Sequence, residues 1–174
     1  MEPFQVDKYL GKWYELMHYP SWFQRNDNYN TTAEYTITGP GIIQVHNSTI
    51  SNGKKFESFG TGYYIGDSNF KVVFPMPEVV KLETSGQFKK SPFDTSQIDN
   101  VSTKDSKYPN YVVDRIFVNR YGEYVFAIVT DFTRASLYVL SRYAHPSIVA
   151  YNQIMKYVIA NYDRDRLVQT PHLY

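Results

Sequence analysis

The 174-residue chain carries 18 lysine and arginine residues against 17 aspartate and glutamate residues, and its formal net charge of +1 does not indicate a nucleic-acid partner. It has no cysteine, which excludes disulfides, thiolate metal ligands and cysteine nucleophiles. Aromatic residues make up 17% of the chain, and their flat apolar faces suit both pleated strands and the wall of a ligand cavity.

The N-terminal residues MEPFQVDKY lack the apolar region of a secretory signal. Elsewhere, no apolar run approaches the roughly 20 residues that a membrane-spanning helix needs. We therefore expect a soluble chain that is not exported by this route, or whose signal was removed before Met1. The sequence leaves the compartment and the oligomeric state open.

From residue 12 to residue 142, apolar and polar side chains alternate in short runs, which is the pattern of strands with one buried face. Turn residues separate the runs, most clearly at 39–41, where the sequence reads Gly-Pro-Gly. The predicted strands cover residues 12–19, 31–38, 42–49, 55–65, 69–74, 111–118, 124–130 and 135–142. Short strands with mostly hairpin-length links predict an all-β domain, either an up-and-down barrel or a sandwich.

One link is far longer than a hairpin. Residues 75–110 are polar and rich in Ser, Lys, Asp and Pro. Loops beyond about 12–15 residues are usually functional lids or disordered segments. Both interpretations of this segment remain open from the sequence.

After the last predicted strand the period of the apolar residues changes. They recur at helical spacing from Ile148 through Tyr151 and Met155 to Ile159, and Pro146 stands where a helix would begin. Residues 167–169 predict a short final strand. Since there is no repeat and no linker, we expect one domain over residues 1–174, with residues 75–110 as a long loop insertion.

Three short motifs stand at the two ends of the predicted strand region. They are Gly11-Lys12-Trp13-Tyr14-Glu15, Ala33-Glu34-Tyr35 and Leu140-Ser141-Arg142. Together they resemble the motifs of the lipocalin family, especially the branch of bacterial lipocalin and apolipoprotein D. The resemblance implies a calycin architecture, in which an eight-stranded antiparallel up-and-down β-barrel carries a C-terminal α-helix packed outside it.

The resemblance also implies structural roles for Gly11, Trp13 and Arg142. Gly11 would let the chain turn tightly into the first strand. Trp13 would close the floor of the barrel, and Arg142 would stack across its ring in a cation–π contact of about 0.5–2 kcal/mol. The family's T-D-Y motif is degenerate in this chain, because Thr130-Asp131-Phe132 falls in the last hairpin and the equivalent turn lies at Asn119-Arg120-Tyr121.

Strand parity, counted from an inward-pointing Trp13, predicts which side chains line the cavity. One further candidate comes from the first loop, at the rim of the barrel. The predicted ligand-binding residues are Met17, Trp22, Tyr35, Val45, Phe59, Tyr63, Val72, Phe74, Tyr138 and Leu140. The same residues are equally compatible with an ordinary core, and a slip of one residue would reverse a whole strand.

The ionisable residues show no catalytic or metal-binding pattern. Glu15 is predicted to lie near the closed end, where it needs a partner such as Arg115 or Arg142. No pair of the four histidines has metal-ligand spacing, and no phosphate-binding or dinucleotide-binding motif is present. We expect no catalytic residue, no metal and no cofactor.

These observations predict a protein that binds and transports or sequesters a small hydrophobic ligand, such as a fatty acid, a lysophospholipid or a similar lipid, and that is not an enzyme. Residues 19–30, 50–54, 75–110 and 131–134 would surround the open end of the barrel. Two alternatives remain. One is a filled barrel that contacts a protein or the periphery of a membrane, and the other is an enzyme on a lipocalin scaffold.

Overall fold

The computed structural model describes residues 3–20, 27–74, 80–81, 88–89 and 109–173, and its main feature is a closed ring of eight antiparallel strands. Neighbours in sequence pair in space, and the ring closes where β10 pairs with β1. This arrangement confirms the predicted barrel and excludes the sandwich. The strands are β1 (Gly11–His18), β2 (Tyr29–Gly39), β3 (Ile42–Ser51), β4 (Lys54–Gly66), β5 (Asn69–Val73), β6 (Val80–Lys81), β7 (Phe88–Lys89), β8 (Tyr111–Val118), β9 (Tyr124–Thr130), β10 (Tyr138–Ser141) and β11 (Val168–Gln169).

Strands β6 and β7 lie within the predicted long loop and pair only with each other. These two strands are not part of the ring, because β5 pairs directly with β8 through Asn69–Val112 and Phe70–Tyr111. Beyond those pairs, the side chain of Asn110 continues the ladder. Its amide donates to the Val72 carbonyl and accepts from the Val72 N–H, both at 2.7 Å.

The last ring strand, β10, is shorter than the predicted range 135–142, because the Asp131 carboxylate holds the residues that precede the strand in a turn. It accepts hydrogen bonds from the N–H groups of Thr133 at 2.7 Å and Ser136 at 3.1 Å, and from both of their hydroxyls. Burial alone would raise the pKa of Asp131, but the hydrogen bonds from Ser136 and Thr133 outweigh it and lower the pKa. Thr130-Asp131-Phe132 therefore lies at the last hairpin, as predicted.

Arg142 closes the lower end of the barrel. Its guanidinium carbon lies 3.8 Å from the centre of the Trp13 ring, so the predicted cation–π contact is present. The same group donates to the carbonyls of Tyr124, Lys12, Lys8 and Leu10. A short helix, α1 (Val6–Tyr9), brings two of these carbonyls to the guanidinium.

Gly11 allows this close approach. Its φ of +98° lies in the region that side chains rarely adopt, and a Cβ there would stand 3.3 Å from Arg142 Nη1.

The C-terminal helix, α2 (Ile148–Asn161), begins after Ser147, whose hydroxyl accepts a hydrogen bond from the Ala150 N–H at 3.2 Å. Its buried residues Ile154 and Val158 pack on the outer face of the ring. Asp114 fixes the other end of the helix, because its carboxylate accepts from the phenols of Tyr157 at 2.9 Å and Tyr162 at 2.8 Å. The predicted helix outside the barrel is confirmed.

The chain ends beside the first strand. Strand β11 pairs with β1 at Met17 and His18, and the segment after it returns to β2, where the Asn30 N–H donates to the Pro171 carbonyl at 2.8 Å. His172 Nε2 donates to the Glu15 carbonyl at 2.6 Å, with its ring edge-on to Tyr14. Burial lowers the pKa of His172.

We expect Arg142→Ala to lower the free energy of unfolding by about 2–4 kcal/mol, since it removes the ring contact and leaves backbone carbonyls without a donor. Denaturant unfolding followed by tryptophan fluorescence measures the change. Arg120→Ala is the control. Arg120 is exposed, donates to the Tyr121 hydroxyl and lies over its ring, so its loss should change the unfolding free energy by less than about 0.5 kcal/mol. Equal effects of the two variants would contradict the role assigned to Arg142.

His172 should make stability fall as the medium is acidified. Its pKa is lower in the folded state than the ordinary value of about 6.5, so the unfolded chain takes up the proton first as the pH falls below that value. His172→Gln keeps a donor for the Glu15 carbonyl and should lose less unfolding free energy between about pH 7.5 and pH 5. An unchanged pH dependence of stability in His172→Gln would contradict this role.

Candidate functional site

The two faces of the ring belong to two separate clusters of buried residues. One cluster lies inside the barrel and includes Trp13, Tyr35 and Val72. The other lies outside the ring, beneath helix α2, and includes Leu137 and Ile128. Any residue of a regular strand can therefore be assigned to the inside or the outside by its spacing from members of these clusters.

Aromatic rings fill the lower half of the barrel. Above Arg142, the ring centres of Trp13 and Tyr9 lie 5.2 Å apart, as do those of Tyr9 and Tyr35. Phe70 packs edge-on to Tyr111 beside this column. Trp13 and Phe70 are fully buried and Tyr9 is 1% exposed, so the closed end is a packed floor and not a cavity.

Three phenols meet within this floor. The hydroxyl of Tyr111 bonds to that of Tyr9 at 2.5 Å and to that of Tyr35 at 2.6 Å. Burial raises the pKa of all three, to about 12 for Tyr35. The phenols are therefore neutral near pH 7, and they form an uncharged polar spot in an aromatic surrounding.

Residues that pair across neighbouring strands form a row on the inside of the ring. The row above Tyr35 is more polar and more accessible than the floor. Ala33, Asn47 and Ser58 are paired across β2, β3 and β4, and all three face inward because Ala33 belongs to the inner cluster. Asn47 and Ser58 stay partly accessible, whereas Val45 in the row below is 2% exposed. Side chains that face the inside of a closed ring and still contact solvent show that the ring is not filled at that level.

Six of the predicted ligand-binding residues face this interior. Five lie in or against the inner cluster, and Tyr35 forms part of the floor itself. Their inward orientation agrees with the parity argument, and their contact with a ligand stays a prediction. The six are Tyr35, Val45, Val72, Phe74, Tyr138 and Leu140.

Phe59 and Tyr63 were predicted to face inward, and the structure places both on the outside of β4. Phe59 is 48% exposed and stacks on His46 with ring centres 4.4 Å apart. The inward positions of β4 hold Gly60 and Gly62, which pair with Val45 and Ile43 of the inner cluster. A Cβ on Gly60 would stand 2.8 Å from the Phe74 ring, so only glycine fits there. At Gly60 and Gly62 the inside has no room for a side chain, so the large residues Phe59 and Tyr63 in this part of β4 lie outside.

Met17 was also predicted to line the cavity, and it lies in the outer cluster beneath α2 instead. Strand β1 contains a bulge between Glu15 and Met17. Over this step β1 advances by two residues while its partner β10 advances by one, from Leu140 to Val139. The extra residue reverses the parity of the strand beyond it. Trp22, the remaining candidate, lies outside the described residues.

Glu15 has a different environment from the one predicted. It is 4% exposed, and its carboxylate accepts a hydrogen bond from the Thr170 hydroxyl at 2.6 Å. Of the two predicted partners, Arg115 lies over the rings of Phe117 and Tyr157, and Arg142 lies under Trp13. Thr170, which directly follows β11, supplies a polar partner that the sequence motifs did not identify.

Asn47, Ser58 and the phenols of Tyr9 and Tyr111 were not predicted as site residues. Asn47 follows Val45 by two positions and shares its face, so alternation alone could have placed it inside. Ser58 shares a face of β4 with Gly60 and Gly62, while the large residues Phe59 and Tyr63 next to them lie on the opposite face. Ser58 was not predicted as a site residue because a polar side chain is expected on the solvent-facing side of a strand.

In the described part of the chain, no helix has the length and apolar character needed to cross a membrane. Within the same residues, no three His, Asp or Glu side chains are grouped closely enough to hold a metal ion.

Comparison with known proteins was made for the whole chain. A family model described as a lipocalin-like domain matches residues 4–172. Temperature-induced lipocalin-1 of Arabidopsis thaliana is 29% identical over 167 residues, which cover 95% of this chain and 78% of that protein. Bilin-binding protein of Pieris brassicae is 29% identical over 115 residues, which cover 66% of this chain and 57% of that protein.

Among solved structures, apocrustacyanin C1 superimposes with a TM-score of 0.61 at 15% identity, covering 98% of this chain and 81% of its own. That likeness bears on the fold alone. The bacterial lipocalin and apolipoprotein D branch indicated by the motifs stays a prediction.

Gly60→Ala should lower the free energy of unfolding by about 1–3 kcal/mol, since the added methyl group must displace the Phe74 ring or the backbone behind it. Gly39→Ala is the matched control. A Cβ at Gly39 would stand 3.7 Å from Ile42, an ordinary contact, so stability should hold or rise slightly. Thermal unfolding of both variants tests the assignment, and an unchanged midpoint for Gly60→Ala would argue against an inward Gly60.

Proposed function

We propose that this chain, which belongs to the lipocalin family, binds a fatty acid, a lysophospholipid or a similar lipid inside its barrel and transports or sequesters it. Members of the family bind small hydrophobic ligands and are generally binding or transport proteins. The finer assignment of a lipid, and of a role without bond making or breaking, is our proposal.

The observation that carries the proposal is the difference between the two halves of the barrel. Aromatic rings pack the lower half completely, so they provide a rigid floor. Above the floor, inward-facing Asn47 and Ser58 are accessible, which is the arrangement of a cup that is open to a guest molecule.

The inner walls of the barrel provide apolar surface that suits a hydrocarbon chain. Val72 and Phe74 stand on β5, Val113 on β8 and Leu140 on β10, and all belong to the inner cluster. Covering each square ångström of such apolar surface with a ligand contributes about 25 cal/mol of binding free energy before the costs of association. A chain of a dozen or so methylene groups would contact several of these walls at once.

The two alternatives are less well supported. An interaction module with a filled barrel would leave no inward polar side chain accessible, and Asn47 and Ser58 both are. An enzyme would need reactive groups brought together in the site. The phenols of the floor are the closest group of this kind, and they bond to one another with their pKa values raised, so they remain protonated.

Extraction of the purified protein with organic solvent, followed by mass spectrometry, tests for a lipid that is retained from the host cell. Because one relative is named for binding bilin, the extract is also read by visible absorbance. A retained lipid supports the proposal, and a retained chromophore would replace it with pigment binding.

Blocking the cup should abolish binding. Ser58→Phe places a ring in the space above the floor and should weaken binding of the fluorescent hydrophobe N-phenyl-1-naphthylamine by about tenfold or more, a loss of about 1.4 kcal/mol. Thr61→Phe makes a comparable change on the outward face of the same strand and should leave the affinity intact. If wild-type protein fails to bind the probe, or if both variants bind it equally, ligand binding inside the barrel is contradicted.

A further inference from the structure

We infer that Asn47 and Ser58 form a polar recognition point for an uncharged oxygen of the ligand, an ester carbonyl or a hydroxyl attached to the hydrocarbon chain. This inference rests on the proposed function, because it takes the barrel interior as the binding site. It narrows the ligand to a lipid with a neutral polar group close to its chain, such as a monoacylglycerol or the glyceryl ester portion of a lysophospholipid.

Strand geometry fixes the position of the two side chains. In β3, Val45, Asn47 and Thr49 occupy one face, and β3 pairs with β4 without interruption from Ile42–Tyr63 to Ser51–Lys54. Asn47 is directly opposite Ser58 in this ladder, so their Cβ atoms are neighbours about 4.5–5.5 Å apart. An amide and a hydroxyl therefore stand side by side on the inner wall.

The hydrogen-bonding capacity of these two side chains is unused among the described residues, which distinguishes them from the rows on either side. One row higher, the hydroxyls of Thr31 and Thr49 bond to each other at 2.7 Å and are buried. One row lower, Val45 faces Gly60 and neither has a polar side chain. Neither Asn47 nor Ser58 bonds through its side chain to a described residue.

A purely hydrocarbon guest would cover these groups and leave them without partners. Burying an amide or a hydroxyl in that way is unfavourable, because each loses its hydrogen bonds to water. A guest that carries a carbonyl or hydroxyl oxygen at the same height restores them. The amide offers two donors and an acceptor and the serine hydroxyl one donor, so both kinds of oxygen are accommodated.

The charge of the wall decides between a neutral and an ionised group. On the inner faces of β2, β3 and β4, the row of Asn47 and Ser58 and the rows directly above and below it contain no lysine and no arginine; Lys54, on the same face of β4, lies two rows above Ser58 at the end of the strand. The phenols below are held neutral by burial. An ionised carboxylate at this level would lose its hydration without gaining an opposite charge from the described wall, whereas an ester or a hydroxyl needs no such charge.

The test uses three probes and a matched set of variants. Asn47→Leu removes the amide with little change in shape, Ser58→Ala removes the hydroxyl, and Gln44→Leu makes the same amide-to-apolar change at an exposed outward position of β3. Displacement of N-phenyl-1-naphthylamine is measured with 1-lauroylglycerol and with laurate. Thermal unfolding confirms that each variant is folded.

We expect wild-type protein to bind 1-lauroylglycerol more tightly than laurate. Asn47→Leu should weaken binding of 1-lauroylglycerol, relative to the fluorescent probe, by about 3- to 10-fold, the loss expected for one or two hydrogen bonds. Ser58→Ala should act in the same direction with a smaller effect. Gln44→Leu should leave the affinities for all three compounds at wild-type values.

The outcomes separate the two proposals. Failure of the fluorescent probe to bind wild-type protein overturns the proposed function and this inference with it. If the probe binds but Asn47→Leu and Ser58→Ala leave the preference for 1-lauroylglycerol over laurate unchanged, or if laurate binds more tightly to wild-type protein, the recognition point is overturned and the proposed function stands. Should Asn47→Leu fail to fold, Ser58→Ala alone decides.

Discussion

The contact between Arg142 and Trp13 is the constraint on which the rest of the barrel depends. One guanidinium joins the carbonyls of Lys8, Leu10, Lys12 and Tyr124, so it ties together helix α1, the start of β1 and the start of β9. These parts come from opposite ends of the sequence. Their connection fixes the height at which β10 meets β1, and in a closed ring that register fixes the face of every following strand.

The floor above this contact divides the aromatic residues between two tasks. Tyr9, Tyr35 and Tyr111 direct their hydroxyls toward one another inside the ring, where a lone buried hydroxyl would be unfavourable. Outside the ring, Tyr157 and Tyr162 share the Asp114 carboxylate and hold α2 on the barrel. The high aromatic content noted in the composition thus serves the packed floor and the docking of the helix more than the walls of the cup.

The fold could be predicted from the sequence because its signals are local and repeated. Alternation identified the ring strands, the spacing from Ile148 to Ile159 identified α2, and the motifs at Trp13 and Arg142 specified how the ring closes. The site was harder, because alternation separates two faces without saying which is inside. Where apolar residues dominate the inner face, as at Val45 and Val72, the inference was correct.

The errors have two physical causes. In the middle of β4 the inner face carries Gly60 and Gly62 because Phe74 and Ile43 already occupy the space, so the large residues Phe59 and Tyr63 lie on the outer face. In β1 a bulge of one residue turns Met17 toward α2, and no residue near Glu15 indicates this bulge in the sequence. Both features depend on neighbours that are remote in sequence, so a pattern within one strand could not reveal them.

The same remote packing sets the selectivity of the cup. An interior lined only by apolar groups binds hydrophobes according to size and distinguishes poorly among them. Asn47 and Ser58 change this, because two adjacent polar groups without partners penalise a guest that cannot bond to them and impose a height at which its oxygen must lie. The floor at Tyr35 lies one row below Asn47 and Ser58, so it limits how far any part of the guest can reach below that oxygen. Chain length and the position of the polar group are therefore selected together, by a rigid base and by one row of side chains above it.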